Sequence, residues 1–488
     1  MDFISIIKQM KIRFELGAYS SSLYKNQNET DNPELKNLLT KKEYFSMLQE
    51  VLEIVKENNY ASKLTIKDEL FKRSRLSDAI ANIVYVKNLI PGMNLTFGSK
   101  TLRDTILCGN KTECILDKDG NKISYFTDLE LNTIYDLAST SKLLTSLAIY
   151  SLIDNNYIEK DKPVREYCPQ FKNLGDTTVY DLLKFKVNVK TNERIDTQPT
   201  FKKAEEVLFS SVLSGETNLI NAYTDIGAMI LKYVVEAASG ISFDEYITEM
   251  IFKPLGMNDT FLNVPKDKLS RVACNNFNKT VDNNGTIFEN TTTFLGSSHD
   301  PKAVIMKSKE NNAPGHAGYF STNDDMMKLG NGLLEGLVIS KDSLFDISKS
   351  ETGMETTDKN GEKIYTKYFG SLTYGKQKDE QYLSVNPTLS GRAFMSPGFA
   401  GTTFAIDPLN HIVMFIGANR LHNRIYNIPG KFKEEKNGKI FYKGNIVSSS
   451  YALDKESIVE IAMNLAIQYQ FLEVIMPSEN LKNSVREL

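Results

Sequence analysis

The spacing of apolar residues changes several times along this chain, and each change predicts a different element. In residues 41–55, Tyr44, Phe45, Leu48, Val51, Leu52 and Val55 recur at helical spacing among charges of both signs, which predicts an amphipathic helix docked on a larger body. Near residue 91 the period drops to two. Residues 91–97 and 104–107, joined through Gly98-Ser99-Lys100, predict a β-hairpin, with a turn over residues 117–121. Between 142 and 153, Leu143, Leu144, Leu147, Ala148, Ile149, Leu152 and Ile153 cover most of a helix circumference. That is the pattern of a buried helix. Short helices follow from capping residues Asp176 and Thr200, then an apolar helix within residues 221–240 that ends at Gly240, then a helix opened by Thr322. The strand pattern returns beyond about 365. Residues 393–406 and 411–418, linked by the turn 407–410, predict a second hairpin, and residues 431–443 predict a charged loop. A helix over residues 455–472 closes the chain, with Ile458, Ile461, Ala462, Leu465, Tyr469 and Leu472 on one face.

Strands first, helices in the middle, strands and a helix last: this order predicts an α+β fold, one antiparallel sheet built from both ends of the chain with a mostly helical domain inserted. The expected division is an N-terminal helical extension over 1–80, a sheet domain from 81–130 and 361–488, and a mostly helical domain over 131–360.

Composition narrows the function more than the fold. The 488 residues are 41% hydrophobic and 24% charged, with net charge −3, so a polyanion surface, and with it nucleic acid, is not expected. Lys8 interrupts the first apolar patch, and no apolar run approaches membrane-spanning length. The reading is a cytoplasmic protein with no membrane partner. Four cysteines without a CxxC and four scattered histidines predict free thiols, no metal and no cofactor. The sequence carries no signal of oligomeric state.

Ser139 and Lys142 stand three positions apart at the start of the buried helix, so the amine can reach the hydroxyl within one turn. A lysine kept neutral by burial or by a nearby cation could take the serine proton. The helix start favours negative charge developing there. Tyr223 and Asp225 open a second apolar helix, and a phenol beside a serine and a lysine can relay protons. His299 and His316 lie in glycine-rich loops and read as structural.

These residues resemble the serine β-lactamase and penicillin-binding-protein superfamily, in its class C β-lactamase-related, esterase and D-peptidase branch, over about residues 85–472. The carriers are Asp136-Leu-Ala-Ser139-Thr-Ser-Lys142, Tyr223-Thr-Asp225, residues 252–260, 299–303 and 315–322, and Asn419-Arg-Leu-His422. The resemblance implies a β-lactamase/transpeptidase-like fold, with Ser139 acylated, Lys142 its base partner, Tyr223 the second proton-transfer group and Asp225 assisting. It also implies an oxyanion hole made by the Ser139 N–H and the Phe399 N–H on a final edge strand. The third motif, Lys/His-Thr/Ser-Gly in most relatives, falls on Ser396-Pro397-Gly398. Gly398 would keep room for substrate, but the cation is gone and Pro397 removes a donor. Arg392 or Arg420 would have to swing in to replace it. A second departure is Leu182-Leu-Lys-Phe-Lys-Val-Asn188, on the cleft wall. The expected activity is a serine hydrolase acting through an acyl-enzyme on a small-molecule or peptide substrate: an ester, an amide or a peptide. The alternatives are a D-aminopeptidase or carboxypeptidase on cell-wall fragments, or a catalytically silent ligand-binding homologue.

Overall fold

The computed structural model describes residues 66–100, 102–214, 223–291, 295–307, 312–357, 361, 363–375, 389–436 and 439–475. The helix expected at 41–55 lies outside these residues. Its frame is a nine-stranded sheet in which every adjacent pair is antiparallel. The strands are β1 Gly92–Gly98, β2 Arg103–Leu116, β3 Lys122–Asp128, β4 Thr352–Thr357, β5 Lys363–Phe369, β6 Tyr374–Gly375, β7 Phe394–Pro397, β8 Thr403–Asp407 and β9 Ile412–Ala418. Their order is β4-β5-β6-β7-β8-β9-β1-β2-β3, so the first hairpin joins the last strands through β1 and β9.

Alternation along the central strands separates two cores. Val413 and Phe415 of β9, with Phe404 and Ile406 of β8, face a large helical core. Ile412, Met414 and Ile416 of β9, with Met93, Leu95 and Phe97 of β1, face helices α1 (Ile66–Ala81) and α6 (Tyr451–Ile475). Each such side chain contributes about 1.5–3 kcal/mol on full burial, which is why β1 is buried along its whole length.

The helical core is built on α2 (Lys142–Asp154) and α3 (Asp225–Ser239). The remaining labelled helices are α4 (Pro301–Met306) and α5 (Asn323–Glu335), capped by Asp300 and Thr322. Among the described residues no single helix is long and apolar enough to cross a membrane. The helices Asp225–Ser239 and Phe243–Leu255 meet that length and composition only as a pair, bent by 77°.

Several local expectations are corrected. Sheet strands resume at Thr352, before the expected boundary at 361. Residues 393–406 are not one strand but two, β7 and β8, because the chain turns at Gly398–Gly401, where Gly401 has φ +114°. The charged loop at 431–443 contains paired strands Glu434–Lys436 and Lys439–Tyr442, and Tyr442 packs with Val281, Ile428 and Val447. The helix Val179–Leu183 is capped by Thr178 in a capping box with Asp181, rather than by Asp176.

Candidate active site

Ser139 is the one position from Thr133 to Leu152 that is not buried. It sits in a 3-10 turn, Ala138–Ser141, that leads into α2, where the apolar surround leaves its hydroxyl as the accessible polar group. Lys142 is fully buried directly behind it. Its Nζ donates to Ser139 Oγ at 3.0 Å and to the His316 carbonyl at 3.4 Å, and pairs with Asp225 Oδ1 at 2.7 Å. An ammonium has three N–H donors, and three acceptors surround this one.

The charge on Lys142 corrects the expectation of a neutral amine. Burial opposes the charge most strongly, but the Asp225 carboxylate and Tyr223 together outweigh it and raise the lysine above its ordinary range. Burial likewise pushes Asp225 up, yet Lys142, His316 and Lys302 hold its carboxyl far below the usual carboxylate range. The pair is therefore ionic at rest.

The sequence reading assigned no role to the residues behind this pair. Lys302, in the first turn of α4, reaches Asp225 Oδ2 at 3.0 Å and Asp300 at 3.7 Å, and His316 Nε2 lies 3.2 Å from Asp300 Oδ1. Ligand atoms of Asp225, Asp300 and His316 all fall within 4.8 Å of one another, close enough to hold a cation. Two lysine ammoniums already neutralise both carboxylates. The segment 299–303 carried the resemblance, but nothing in its spacing ties Lys302 to Asp225 across the fold.

Tyr223 immediately precedes Thr224, the N-cap of α3. Its ring lies 5.1 Å from Phe185, 5.7 Å from Phe369 and 5.8 Å from Tyr374, and Lys142 Nζ is 5.2 Å from its centroid. Phe185 holds φ +50°, an uncommon conformation for an aromatic residue. It belongs to the altered stretch at 182–188, so that departure puts an aromatic ring against Tyr223.

The opposite wall is backbone. The Ser396 carbonyl accepts from Thr140 Oγ1 at 3.0 Å, which draws β7 against the turn carrying Ser139. Gly398 is needed for this approach. A Cβ there would lie 2.5 Å from the Leu137 carbonyl oxygen and 2.1 Å from Thr402 Oγ1. β7 is not an edge strand, since it pairs with β6 and β8, and Phe399 lies beyond its end in the turn to β8. The Phe399 ring is 47% exposed. His299 stacks on it at 5.5 Å, and the Arg420 guanidinium lies over it at 4.5 Å, with Nε donating to the Phe399 carbonyl at 2.9 Å. Arg420 is thus held by Phe399, and the Arg392 guanidinium lies over Phe345 at 5.6 Å. Burial lowers Arg420 to about 10, so it stays charged at neutral pH.

Comparison with known proteins gives a consistent picture. The family model described as Beta-lactamase matches residues 119–430. A protein from Salmonella heidelberg (strain SL476), named "Putative D-alanyl-D-alanine carboxypeptidase", is 27% identical over 346 residues, covering 66% of this chain and 76% of that protein. Among solved structures, the LovD6 mutant of simvastatin synthase from Aspergillus terreus superposes with TM-score 0.56 at 15% identity, covering 82% of this chain and 98% of the other. A class C beta lactamase does so with TM-score 0.54 at 13% identity, covering 82% and 99%. The two structures share the fold.

Proposed function

The chain belongs to the beta-lactamase family of serine hydrolases, and from that premise we propose that it cleaves esters or small amides through an acyl-enzyme on Ser139. The observation that carries this is the Lys142 ammonium fixed 3.0 Å from the accessible Ser139 hydroxyl and 2.7 Å from Asp225. A lysine already protonated cannot accept the serine proton. We assign that role to the Tyr223 oxygen, while Lys142 keeps the serine and the phenol together. Ser139 Oγ bonds to the acyl carbon as its proton passes to Tyr223. The bond to the leaving group then breaks as Tyr223 returns the proton to it. Water reverses both steps and releases the acid.

The preference for uncharged substrates rests on the cations flanking the site. Among the described residues Lys142 is paired with Asp225, Lys302 with Asp225 and Asp300, and Arg420 is held at Phe399. A substrate carboxylate would have to compete with these partners, and Ser396-Pro397-Gly398 offers none of its own. We read the degenerate motif as weakening action on carboxylate-bearing β-lactams. The named Salmonella relative supports a second reading, a carboxypeptidase acting on D-alanyl peptides.

The test is intact-protein mass after fluorophosphonate and, separately, penicillin, with Ser139→Ala as control, followed by rates on p-nitrophenyl acetate and on a D-alanyl peptide. A fluorophosphonate adduct lost in the variant, with faster turnover of the ester, is the expected result. Faster turnover of the peptide favours the carboxypeptidase. No adduct with either reagent leaves a ligand-binding homologue.

A further inference from the structure

One buried carboxylate links the two sides of the Ser139 pocket. Asp136 is 1% exposed. Its Oδ1 accepts from the Ala138 N–H at 2.8 Å, and its Oδ2 accepts from the His299 backbone N–H at 2.9 Å and lies 2.9 Å from His299 Nδ1. Ala138 carries φ +49°, which costs a non-glycine residue roughly 1–2 kcal/mol and persists only where surrounding bonds enforce it. Those bonds are present. The peptide between Leu137 and Ala138 is held at its N–H by Asp136 and at its carbonyl by Thr402 Oγ1, 3.0 Å away. The next amide along the chain is that of Ser139.

Across the pocket the Phe399 amide is fixed by a related device. The Gly398 carbonyl accepts from the Gly401 N–H at 3.0 Å. Since C=O and N–H point oppositely in a trans peptide, the Phe399 N–H is turned out of the turn. The position of that turn depends on Phe399's ring, held between His299 at 5.5 Å and Arg420 at 4.5 Å. His299 is the piece common to both sides, bonded to Asp136 and stacked on Phe399.

We propose that Asp136 and His299 are positioning residues that hold the amides of Ser139 and Phe399 in register as a single oxyanion site. This rests on the acyl-enzyme reading above. The carboxylate fixes the strained turn before the nucleophile, and the imidazole carries that constraint across to Phe399. Neither side chain need touch the substrate.

Hydrogen–deuterium exchange on the full chain tests the link without relying on activity. His299 is 12% exposed at its side chain, so His299→Ala is expected to fold, as far-UV circular dichroism would verify. Its expected effect is faster exchange in two separate segments, 136–141 and 398–402. Faster exchange confined to the neighbourhood of residue 299 overturns the proposal. In turnover of p-nitrophenyl acetate, His299→Ala should lower kcat about 10-fold and Asp136→Ala about 100-fold with KM nearly constant, the range for displaced transition-state donors. His299→Phe, which keeps a ring on Phe399 but lacks the Nδ1 contact to Asp136, should recover only part of the loss; recovery no better than alanine overturns the stacking link, and full recovery overturns the imidazole contact. Coupled exchange in a protein whose Ser139 never forms an adduct would overturn the hydrolase reading and leave the link standing. An adduct with uncoupled exchange would do the reverse.

Discussion

The two walls of the site are built on different principles. The wall of α2 and α3 is made of charged side chains, and each has a partner: Lys142 with Asp225, Asp225 with Lys302, Asp300 with His316. The wall of β7 and its turn is made of backbone: the Ser396 carbonyl, the Gly398 approach to Leu137 and the Phe399 turn under two stacked groups. The first wall holds the residues to which we assign proton transfer. The second carries Ser396-Pro397-Gly398, with no cation of its own, and approaches the Ser139 turn closely. Chemistry and substrate choice therefore reside on different elements of this scaffold, joined around Ser139 by Thr140, Leu137 and the Asp136–His299 pair.

The severest way to break the proton-moving wall is Ser139→Ala, expected to remove fluorophosphonate labelling and lower esterase turnover about 10⁴-fold or more. Next is Asp225→Asn. It leaves Lys142 buried without its carboxylate, for which about 3–5 kcal/mol of stability is the scale, and it should also lower kcat; urea unfolding and steady-state rates check both.

A buried histidine outside both walls should set much of the pH dependence of stability. Burial pushes His422 down to about 4. In the fold its Nε2 accepts from the Glu113 N–H and its Nδ1 faces the Asn276 carbonyl, each at 2.8 Å, so protonating Nε2 sets two donors against each other. Its folded value lies below its unfolded value. The stability it gives is complete above about pH 6.5 and is lost as pH falls toward 4, by about 3 kcal/mol. Asp225 is depressed too, so its contribution is complete above its unfolded value near 4 and is lost only in stronger acid. Unfolding midpoints between pH 7 and 4 should fall in the wild type and stay flatter in His422→Gln.

Two smaller changes probe the strand wall. Gly398→Ala should cost roughly 1–3 kcal/mol by crowding the Leu137 carbonyl, read as a lower melting temperature with a disturbed Ser139 turn. Ser396→Lys should raise the ratio of penicillin acylation to p-nitrophenyl acetate acylation about 10-fold, the worth of one modest ion pair. An unchanged ratio would mean that substrate choice lies elsewhere.

The same division governs what was legible in the sequence. Ser139, Lys142, Tyr223 and Asp225 stand at the starts of two apolar helices, where local periodicity marks the position and the residue types declare the chemistry. The α+β order of elements was legible for the same reason. Lys302, Asp300 and Asp136 lie in motifs that carry the resemblance, but their contacts were not legible, because each partner is distant in sequence. The close packing at Gly398 was not legible, because the atoms crowding it, in Leu137 and Thr402, come from other positions in the chain. β4 escaped notice because Thr352-Gly-Met-Glu-Thr-Thr357 lacks alternation. Strand 439–442 was hidden by the lysines around Ile440, Phe441 and Tyr442.

The pairing of β1 with β9 reaches beyond the site, into how the chain is made. Gly98 pairs with Arg103 within the first hairpin, but on its other side it meets Val413 of β9, and β1 faces α6 on one side of the sheet. On a ribosome adding about 5–20 residues per second, the first hairpin waits about 15–60 s after it is made before the strand that flanks it exists. Until then it presents an apolar edge with no neighbour. Birth of this molecule is a matter of timing as much as of sequence, and a slowed or truncated translation beyond α5 should leave a chain that chaperones hold rather than one that works.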